Sequence, residues 1–275
     1  PSYRTLTRGN FVHFSSYRYY STSYREYSLR FEMQAVKTDE YEYLNLIKSI
    51  REEGQDVKGR NGTTRELFGR TLRFSLQNGN IPLLTTKRVA WKTCLRELLW
   101  FISGSTDNKK LTAQGVKIWN GNATQEFLGA RGLDYQEGFL GPIYGHQWRN
   151  FNGKYPSTTE SNIQIDAPPG TTGHDQLNYV IRMLRNPETR SSRRIIMTAW
   201  NPLQNREMAL PPCHVLCQFN TSNNKLSCLL YQRSADVGLG LPFNIASYGM
   251  LTHLLATHVG LETGSLTICI GSAHV

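Results

Sequence analysis

The chain of 275 residues is long enough for one domain with a full hydrophobic core, and its 39% hydrophobic and 19% charged residues are typical of a globular protein. No apolar run approaches the roughly 18 residues of a membrane span, which excludes a transmembrane helix. The formal net charge of +10 favours an anionic partner, either nucleic acid or a phosphorylated small molecule.

The five cysteines are odd in number and include no CxxC pair. A disulfide framework and a cysteine-based metal site are therefore not expected, and a reducing compartment is favoured. We expect a cytoplasmic location, with the mitochondrion and the nucleus as open alternatives.

Residues 1–36 form a basic arm in which arginine and tyrosine are interleaved and acidic residues are rare. Three interpretations stay open. The arm is a mitochondrial targeting segment, a basic-aromatic tail that stacks on single-stranded nucleic acid, or a tail or linker without a site. We treat it separately from the domain at residues 37–275.

Apolar residues at helical spacing from Tyr43 to Ile50 predict a helix that ends at Gly54. A polar loop follows at residues 59–64, and its glycines would let the backbone approach a phosphate. The next elements are predicted to be short strands at residues 67–68 and 72–74 and a further strand over residues 81–86.

Residues 91–103 predict an apolar helix with one broad apolar face, formed by Leu95, Leu98, Leu99 and Ile102. Glu97 lies within this run. It is either on the solvated outer face, which the spacing favours, or partly buried with a functional role.

The middle of the chain predicts a second short helix at residues 105–115 and a surface loop at residues 156–174. Residues 141–149 are dense in polar aromatic groups between glycines. This composition is typical of a loop that lines a site, although a tight turn explains the glycines equally well.

Arginines follow an amphipathic helix over residues 177–184 and lead into a strand at residues 195–197. Arg193 and Arg194 suit a phosphate clamp, because guanidinium groups bind oxyanions through paired N–H donors. Solubilising charge at the start of a strand explains them equally well.

Cys213 follows Pro211 and Pro212 at the start of an alternating, strand-like run. The prolines restrict the backbone, so the thiol is presented at a defined place. A thiol becomes a nucleophile only when it is ionised, which requires positive charge or hydrogen-bond donors nearby. A hairpin turn at residues 223–225 and a return strand at residues 226–232 would bring Arg233 back towards Cys213.

Asn244 is predicted to open a long apolar helix that reaches Val259, before a last strand at residues 265–270. Asn is a good N-cap, so a structural role for Asn244 competes with a functional one.

Five blocks in this order resemble the thymidylate synthase family, and the resemblance runs from Asp39 to Val275. The blocks are residues 97–101, 193–196, 211–214, 231–234 and 241–248. The resemblance implies an α+β fold in which a large mixed β-sheet has helices on one face and packs its other face on the sheet of a second copy, in a homodimer. It also implies reductive methylation of dUMP to dTMP, with 5,10-methylenetetrahydrofolate as co-substrate and no metal.

The resemblance implies that Cys213 adds as a thiolate to carbon 6 of the uracil ring. Arg233 lies beside the thiol and also binds the phosphate, while Asn244 reads the uracil edge with an amide that donates and accepts. The proton-moving water network would be organised by Glu97, Tyr144 and His214.

The resemblance also implies the remaining contacts of both substrates. The nucleotide would contact Arg60, Ser234, Ala235, Asp236 and His274 of one subunit and Arg193 and Arg194 of its partner. Asp236 would also contact the folate, whose wall would be formed by Trp119, Asn122, Leu239, Gly240 and Phe243.

The sequence departs from the family pattern at several places, and three of them bear most on the site. The family continues past His274 with a tyrosine and a tail that closes over the folate, so we expect a chain ending at Val275 to lose catalysis more than nucleotide binding. Ser272 stands where the family usually has Asp. The segment between Pro187 and Arg193 is a few residues longer than usual, which would displace the arginines that follow.

Two other functions stay open at this point. One is a dUMP hydroxymethylase on the same fold, which adds water in place of hydride. The other is a non-catalytic descendant that binds nucleotide or RNA, with the basic arm as its nucleic-acid contact.

Overall fold

The computed structural model describes residues 39–59, 62–156 and 172–275. The predictions for the basic arm, for Arg60 and for most of the loop at residues 156–174 lie outside these ranges.

The helices are α1 (residues 39–53), α2 (Trp91–Ile102), α3 (Asn108–Thr112), α4 (Gln125–Ala130), α5 (Tyr144–Asn150), α6 (Gln176–Arg185) and α7 (Leu241–Val259). The strands are β1 (Gln55–Gly59), β2 (Gly62–Ser75), β3 (Ile196–Thr198), β4 (His214–Ser222), β5 (Lys225–Asp236) and β6 (Glu262–His274).

The six strands form one mixed sheet in the order β1-β2-β6-β5-β4-β3. All neighbours pair antiparallel except β5 and β6, which are parallel. A parallel pair needs a crossover, and α7 supplies it. The predicted α+β fold with a mixed sheet is confirmed.

Side chains alternate across the sheet, as the period of two in a strand requires. On the inner face, Leu230, Ile268 and Phe219 are buried against the helices. On the other face, Ile196, Leu229 and Tyr231 are 40%, 39% and 38% exposed. This face is uncovered within the described chain, although it carries large apolar side chains.

Helix α7 is the central helix of the domain, because buried side chains occur all around it. It ends at Gly260, whose φ of 74° is the left-handed conformation that closes many helices. It begins at Leu241 with Gly240 as its N-cap, so Asn244 lies inside the helix. The interpretation of Asn244 as an N-cap was wrong.

The segment at residues 81–86, which was predicted to be a strand, is held by the first turn of α1. That segment is not a strand. The N–H groups of Thr85 and Thr86 donate to the Glu40 carboxylate at 2.9 and 2.8 Å, and both hydroxyls donate to it at 2.6 Å. Because a side chain satisfies these backbone donors, no neighbouring strand is needed.

Other local predictions were partly right. The strands at residues 67–68 and 72–74 are one strand, β2, whose pairing with β6 skips Gly69 at a φ of 73°. The helix predicted at residues 105–115 covers only α3. Residues 141–149 contain the buried helix α5. The hairpin turn is confirmed, with Asn223 and Asn224 at φ of 49° and 58°.

Glu40→Gln tests the link between α1 and the segment that leads into α2. Burial alone would raise the pKa of Glu40, but the hydrogen bonds from Thr85 and Thr86 lower it below the ordinary 4.5. The stabilisation is therefore present above pH 4.5 and is lost as the pH falls through the folded-state pKa. At pH 7 we expect the variant to lose about 1 kcal/mol in the free energy of unfolding, measured with urea.

The matched control is Glu52→Gln, on the same helix, whose carboxylate has only an exposed Lys48 at 4.0 Å. It should change the free energy of unfolding by less than about 0.5 kcal/mol. Equal losses in the two variants, or a loss for Glu40→Gln that persists at acid pH, would contradict the assignment.

Candidate active site

The backbone of Cys213 is held from two sides, directly before β4 begins. Its N–H donates to the Tyr144 hydroxyl at 2.8 Å, and its carbonyl accepts from the N–H of Arg233 at 2.9 Å. The thiol is partly exposed. The sequence prediction that the hairpin returns Arg233 to Cys213 is confirmed.

The guanidinium of Arg233 lies against the thiol. Its Nη2 is 3.6 Å from Cys213 Sγ, and it is anchored through Nε to the Pro212 carbonyl at 2.8 Å and through Nη2 to the Pro211 carbonyl at 3.0 Å. The ring of Trp200 lies 5.6 Å below the guanidinium carbon. A fixed cation next to a thiol stabilises the thiolate, which is the nucleophilic form.

A buried aromatic cluster forms the floor of the site. The rings of Tyr144 and His214 stack at 3.9 Å and 11°, and His214 Nδ1 pairs with the Tyr248 hydroxyl at 2.9 Å. Burial lowers the pKa of His214 to about 3 and raises the pKa of Tyr144 well above its ordinary value. Both groups are therefore neutral at physiological pH.

A close contact between α5 and α2 brings Tyr144 into this cluster. A Cβ on Gly145 would lie 2.7 Å from the Ser105 carbonyl oxygen and 3.2 Å from that of Phe101. Only glycine allows the two backbones to approach this closely. The Tyr144 ring then packs 4.9 Å from the Phe101 ring.

Glu97 is part of the site, and the expectation of a solvated position was wrong. Its Oε1 accepts from Trp119 Nε1 at 2.7 Å. Burial raises the pKa of Glu97 from 4.5 to about 7, against the opposing hydrogen bond from Trp119. The buried face of α2 is rotated from the predicted one, because Cys94 and Phe101 are buried while Leu99 is 48% exposed.

Gln232 is a site residue that the sequence did not single out. It is buried on β5, and its Nε2 donates to Asn244 Oδ1 at 2.9 Å and to the Ser234 carbonyl at 3.1 Å. An amide that accepts through Oδ1 has its NH₂ group on the other side. Gln232 therefore sets the direction in which Asn244 donates and accepts.

The end of β5 carries the predicted nucleotide and folate contacts. Asp236 Oδ1 accepts from the N–H of Leu239 at 2.7 Å, which fixes the turn into α7. Leu239 is 71% exposed at this turn, and Phe243 is partly buried in the first turn of the helix. Ala235 is 1% exposed and packs in the hydrophobic core. Its side chain does not line the site.

The other predicted site residues lie either at Trp119 and the turn that follows it or near the ends of β5 and β6. Trp119 joins the site through its hydrogen bond to Glu97, and Asn122 lies in the short 3₁₀ turn that follows it. His274 lies near the end of β6, where it pairs with Asp236, and Gly240 precedes α7.

Arg193 and Arg194 are far from Cys213 within this chain. They precede β3, whose Ile196 pairs with Gln218 on β4. This register places them beside the far end of β4, roughly 20 Å from Cys213 at the usual rise of a strand. Both arginines are exposed.

The segment between α6 and β3, which was expected to be longer than in the family, is closed by its own hydrogen bonds. The Thr189 hydroxyl donates to the Met183 carbonyl at 2.8 Å, and the N–H of Arg190 donates to the Asn186 carbonyl at 2.9 Å. The N–H of Arg194 donates to the Ser192 hydroxyl at 3.2 Å. The segment thus forms a compact turn on the end of α6.

Within the described ranges, no group of three or more His, Cys, Asp or Glu side chains is arranged to bind a metal ion. In the same part of the chain, no helix has the length and apolar character needed to cross a bilayer.

Glu97→Gln tests the buried carboxyl group. Because its pKa is raised, the folded protein holds a proton that the unfolded chain releases, and stability falls as the pH rises from 4.5 to about 7. At pH 8 we expect the variant to exceed wild type by about 1–3 kcal/mol in the free energy of unfolding, with no difference at pH 4. Urea unfolding at equal protein concentrations measures both values.

Glu126→Gln, exposed on α4, is the control and should match wild type at both pH values. If the free energies of wild type and Glu97→Gln differ by the same amount at pH 4 and pH 8, Glu97 does not have the raised pKa.

Comparison with known proteins identifies the family. The family model described as thymidylate synthase matches residues 41–275. The chain is 53% identical over 242 residues to a thymidylate synthase of Ascaris suum, covering 87% of this chain and 79% of that protein. It is 47% identical to the thymidylate synthase of human herpesvirus 8 type P, covering 90% and 72%. A bifunctional dihydrofolate reductase-thymidylate synthase of Zea mays is 50% identical, covering 86% and 44%. The chain therefore belongs to the thymidylate synthase family.

Proposed function

We propose that this chain carries out the reductive methylation of dUMP to dTMP with Cys213 as its nucleophile and 5,10-methylenetetrahydrofolate as its co-substrate. The observation that carries the proposal is the guanidinium of Arg233 held 3.6 Å from Cys213 Sγ by two proline carbonyls. The chemistry needs a thiolate, and this arrangement supplies its counter-charge before any substrate binds.

The first step is the addition of the Cys213 thiolate to carbon 6 of uracil. A bond forms between sulfur and carbon 6, and the electron pair of the ring double bond makes carbon 5 nucleophilic. Carbon 5 attacks the methylene group of the folate, and one of that group's two carbon–nitrogen bonds breaks. Carbon 5 then loses its proton, the second carbon–nitrogen bond breaks, and tetrahydrofolate is released as its methylene group stays on carbon 5 as an exocyclic double bond. The folate returns a hydride to the new carbon, the thiolate leaves, and dTMP and dihydrofolate are the products.

Glu97 is the group best suited to the proton transfers. A carboxyl group with a pKa of about 7 is present in both forms at neutral pH, as general acid–base catalysis requires. His214 and Tyr144 stay neutral there, so they take part as hydrogen-bonding groups. Their burial also keeps competing charge away from the Cys213–Arg233 pair.

Asn244 would select uracil over cytosine. With its Oδ1 facing Gln232, the amide keeps one lone pair of Oδ1 for the ring N–H and offers Nδ2 to the neighbouring carbonyl. Cytosine presents the opposite pattern at this edge. Gln232 supports the choice, because an amide fixed in one direction rejects the wrong base more strongly than a freely turning one.

The phosphate would be bound by guanidinium groups from two subunits. Arg233 and Ser234 belong to one subunit together with Arg60, which lies outside the described residues. Arg193 and Arg194 would come from the partner, since their own site is roughly 20 Å away along β4. The uncovered apolar sheet face supports such a homodimer, because a large exposed apolar face is typical of an interface.

The folate would bind where Trp119, Asp236, Leu239 and Phe243 meet the opening of the site. Leu239 is an exposed apolar side chain in a turn fixed by Asp236, which suits contact with a flat aromatic ring. Asn122 and Gly240 flank these residues in the chain.

Covalent trapping tests the nucleophile. With 5-fluoro-dUMP and methylenetetrahydrofolate, carbon 5 has no proton to lose, so we expect a stable adduct of protein, nucleotide and folate in mass spectrometry. Cys213→Ser should form none and should lose at least about 1000-fold in turnover of dUMP.

Cys94→Ala is the control for the trapping experiment. Burial raises the pKa of Cys94 to about 12, so this thiol does not ionise, and its removal should leave the adduct intact. Wild-type protein that forms no adduct, or a Cys213→Ser variant that still forms one, would contradict the proposal.

Mixing two inactive variants tests the shared site. Cys213→Ala and the double variant Arg193→Ala/Arg194→Ala should each be inactive as homodimers. After unfolding and refolding together in equal amounts, half of the dimers are mixed and each has one intact site, so activity should return to about a quarter of wild type. An equal mixture that stays inactive, while both variants refold as dimers, would contradict a site built from two subunits.

A further inference from the structure

Ser272 and Glu66 make a short hydrogen bond between the neighbouring strands β6 and β2. The Ser272 hydroxyl on β6 donates to Glu66 Oε2 on β2 at 2.5 Å, and both side chains are partly buried. Hydrogen bonds to an ionised carboxylate are about twice as strong as neutral ones. The pair is thus a short, partly buried contact to a carboxylate.

The register of the sheet places this pair beside the nucleotide residues. Glu66 lies opposite His274, and His274 lies opposite Asp236 on the far side of β6. Ser272 lies opposite Ser234. Residues two apart on a strand share a face, so Ser272 and His274 point the same way. One corner of the sheet thus contains the pair and three of the proposed nucleotide contacts.

The chemistry of the pair limits what it can bind. The proton of the Ser272 hydroxyl is committed to Glu66, so this hydroxyl keeps only lone pairs. Glu66 Oε1 accepts no hydrogen bond from any described residue. The corner therefore offers acceptors and negative charge, which suit a hydrogen-bond donor.

Only one donor of dUMP is left for this corner. The base is assigned to Asn244 and the phosphate to the arginines. With its 5′ oxygen phosphorylated, deoxyribose has a single free hydroxyl, at the 3′ position. We propose that Glu66, acting through Ser272, is a positioning residue of the sugar subsite beside His274 and favours nucleotides with a 3′-hydroxyl. The proposal rests on the proposed function, which assigns His274 to the nucleotide.

The test compares dUMP with 2′,3′-dideoxy-UMP, which lacks the 3′-hydroxyl. Dissociation constants of both nucleotides are measured by calorimetry on the full chain. We expect wild type to prefer dUMP, and we expect Glu66→Gln and Ser272→Ala each to weaken dUMP about tenfold while leaving the dideoxy nucleotide unchanged. The KM for dUMP should rise with little change in kcat, because the contact is the same in the ground state and the transition state.

Glu262→Gln provides the matched control, since Glu262 is exposed at the other end of β6. It should bind both nucleotides as wild type does. Thermal unfolding of each variant separates loss of fold from loss of contact, and Ser272→Ala carries the test if Glu66→Gln does not fold.

The outcomes are distinguishable. If both variants weaken the two nucleotides equally, or weaken neither, Glu66 and Ser272 tie the strands together and the proposal is overturned while the proposed function stands. Wild type that binds neither nucleotide overturns the proposed function itself.

Discussion

Arg233 joins the two strands of the β4–β5 hairpin at the point where the chemistry would take place. Its N–H pairs with the Cys213 carbonyl, and its guanidinium spans the carbonyls of Pro211 and Pro212 and reaches the thiol. Proline carbonyls are strong acceptors whose own residues lack an N–H, so this segment cannot extend the sheet by ordinary pairing. The hydrogen bonds of Arg233 take the place of the missing backbone pairing, and its guanidinium brings a positive charge to Cys213. The same residue therefore positions the nucleophile and supplies its counter-ion.

Burial, in contrast, disfavours the charged forms of the ionisable groups around Cys213 and Arg233. Glu97 favours its protonated form, His214 loses its proton and Tyr144 keeps its own, because a low-dielectric pocket disfavours every charge that has no partner. The guanidinium of Arg233 is the exception, since two carbonyls solvate it. A site with one fixed cation among neutral hydrogen-bonding groups directs an anionic nucleophile and an anionic substrate to the same place.

Parts of this arrangement were predictable from local patterns. The Asn223-Asn224 turn and the alternation on both sides of it predicted the hairpin, and the hairpin predicted the meeting of Arg233 and Cys213 across a separation of 20 residues. The period of α6 and α7 predicted both helices. The mixed sheet was expected only from the resemblance to a family, and the strand order and the parallel β5–β6 pair were not predicted. Strand order depends on contacts between distant segments that no local pattern encodes.

The failures have identifiable physical causes. Residues 81–86 have the composition of a strand, but the Glu40 carboxylate satisfies their backbone donors. Glu97 has the spacing of a solvated residue, but Trp119 covers it from a turn further along the chain. Asn244 is a good N-cap, but α7 begins three residues earlier, where Pro242 favours a helix start. In the first two cases a tertiary partner decided a choice that propensity left close to even, and in the third a nearby helix-start signal outweighed the N-cap preference.

Ser272 shows how much the meaning of one position depends on its neighbours in the sheet. Read alone, the position lacks the carboxylate that the family usually places there. In the sheet, Glu66 supplies a carboxylate from the neighbouring strand, so a hydroxyl and a carboxylate meet beside His274. A carboxylate can reach this corner from either of two neighbouring strands, because side chains that face each other across a strand pair lie about 5 Å apart. The chemistry of a β-sheet site is therefore a property of cross-strand pairs, and single positions compared one at a time underestimate what such a site retains.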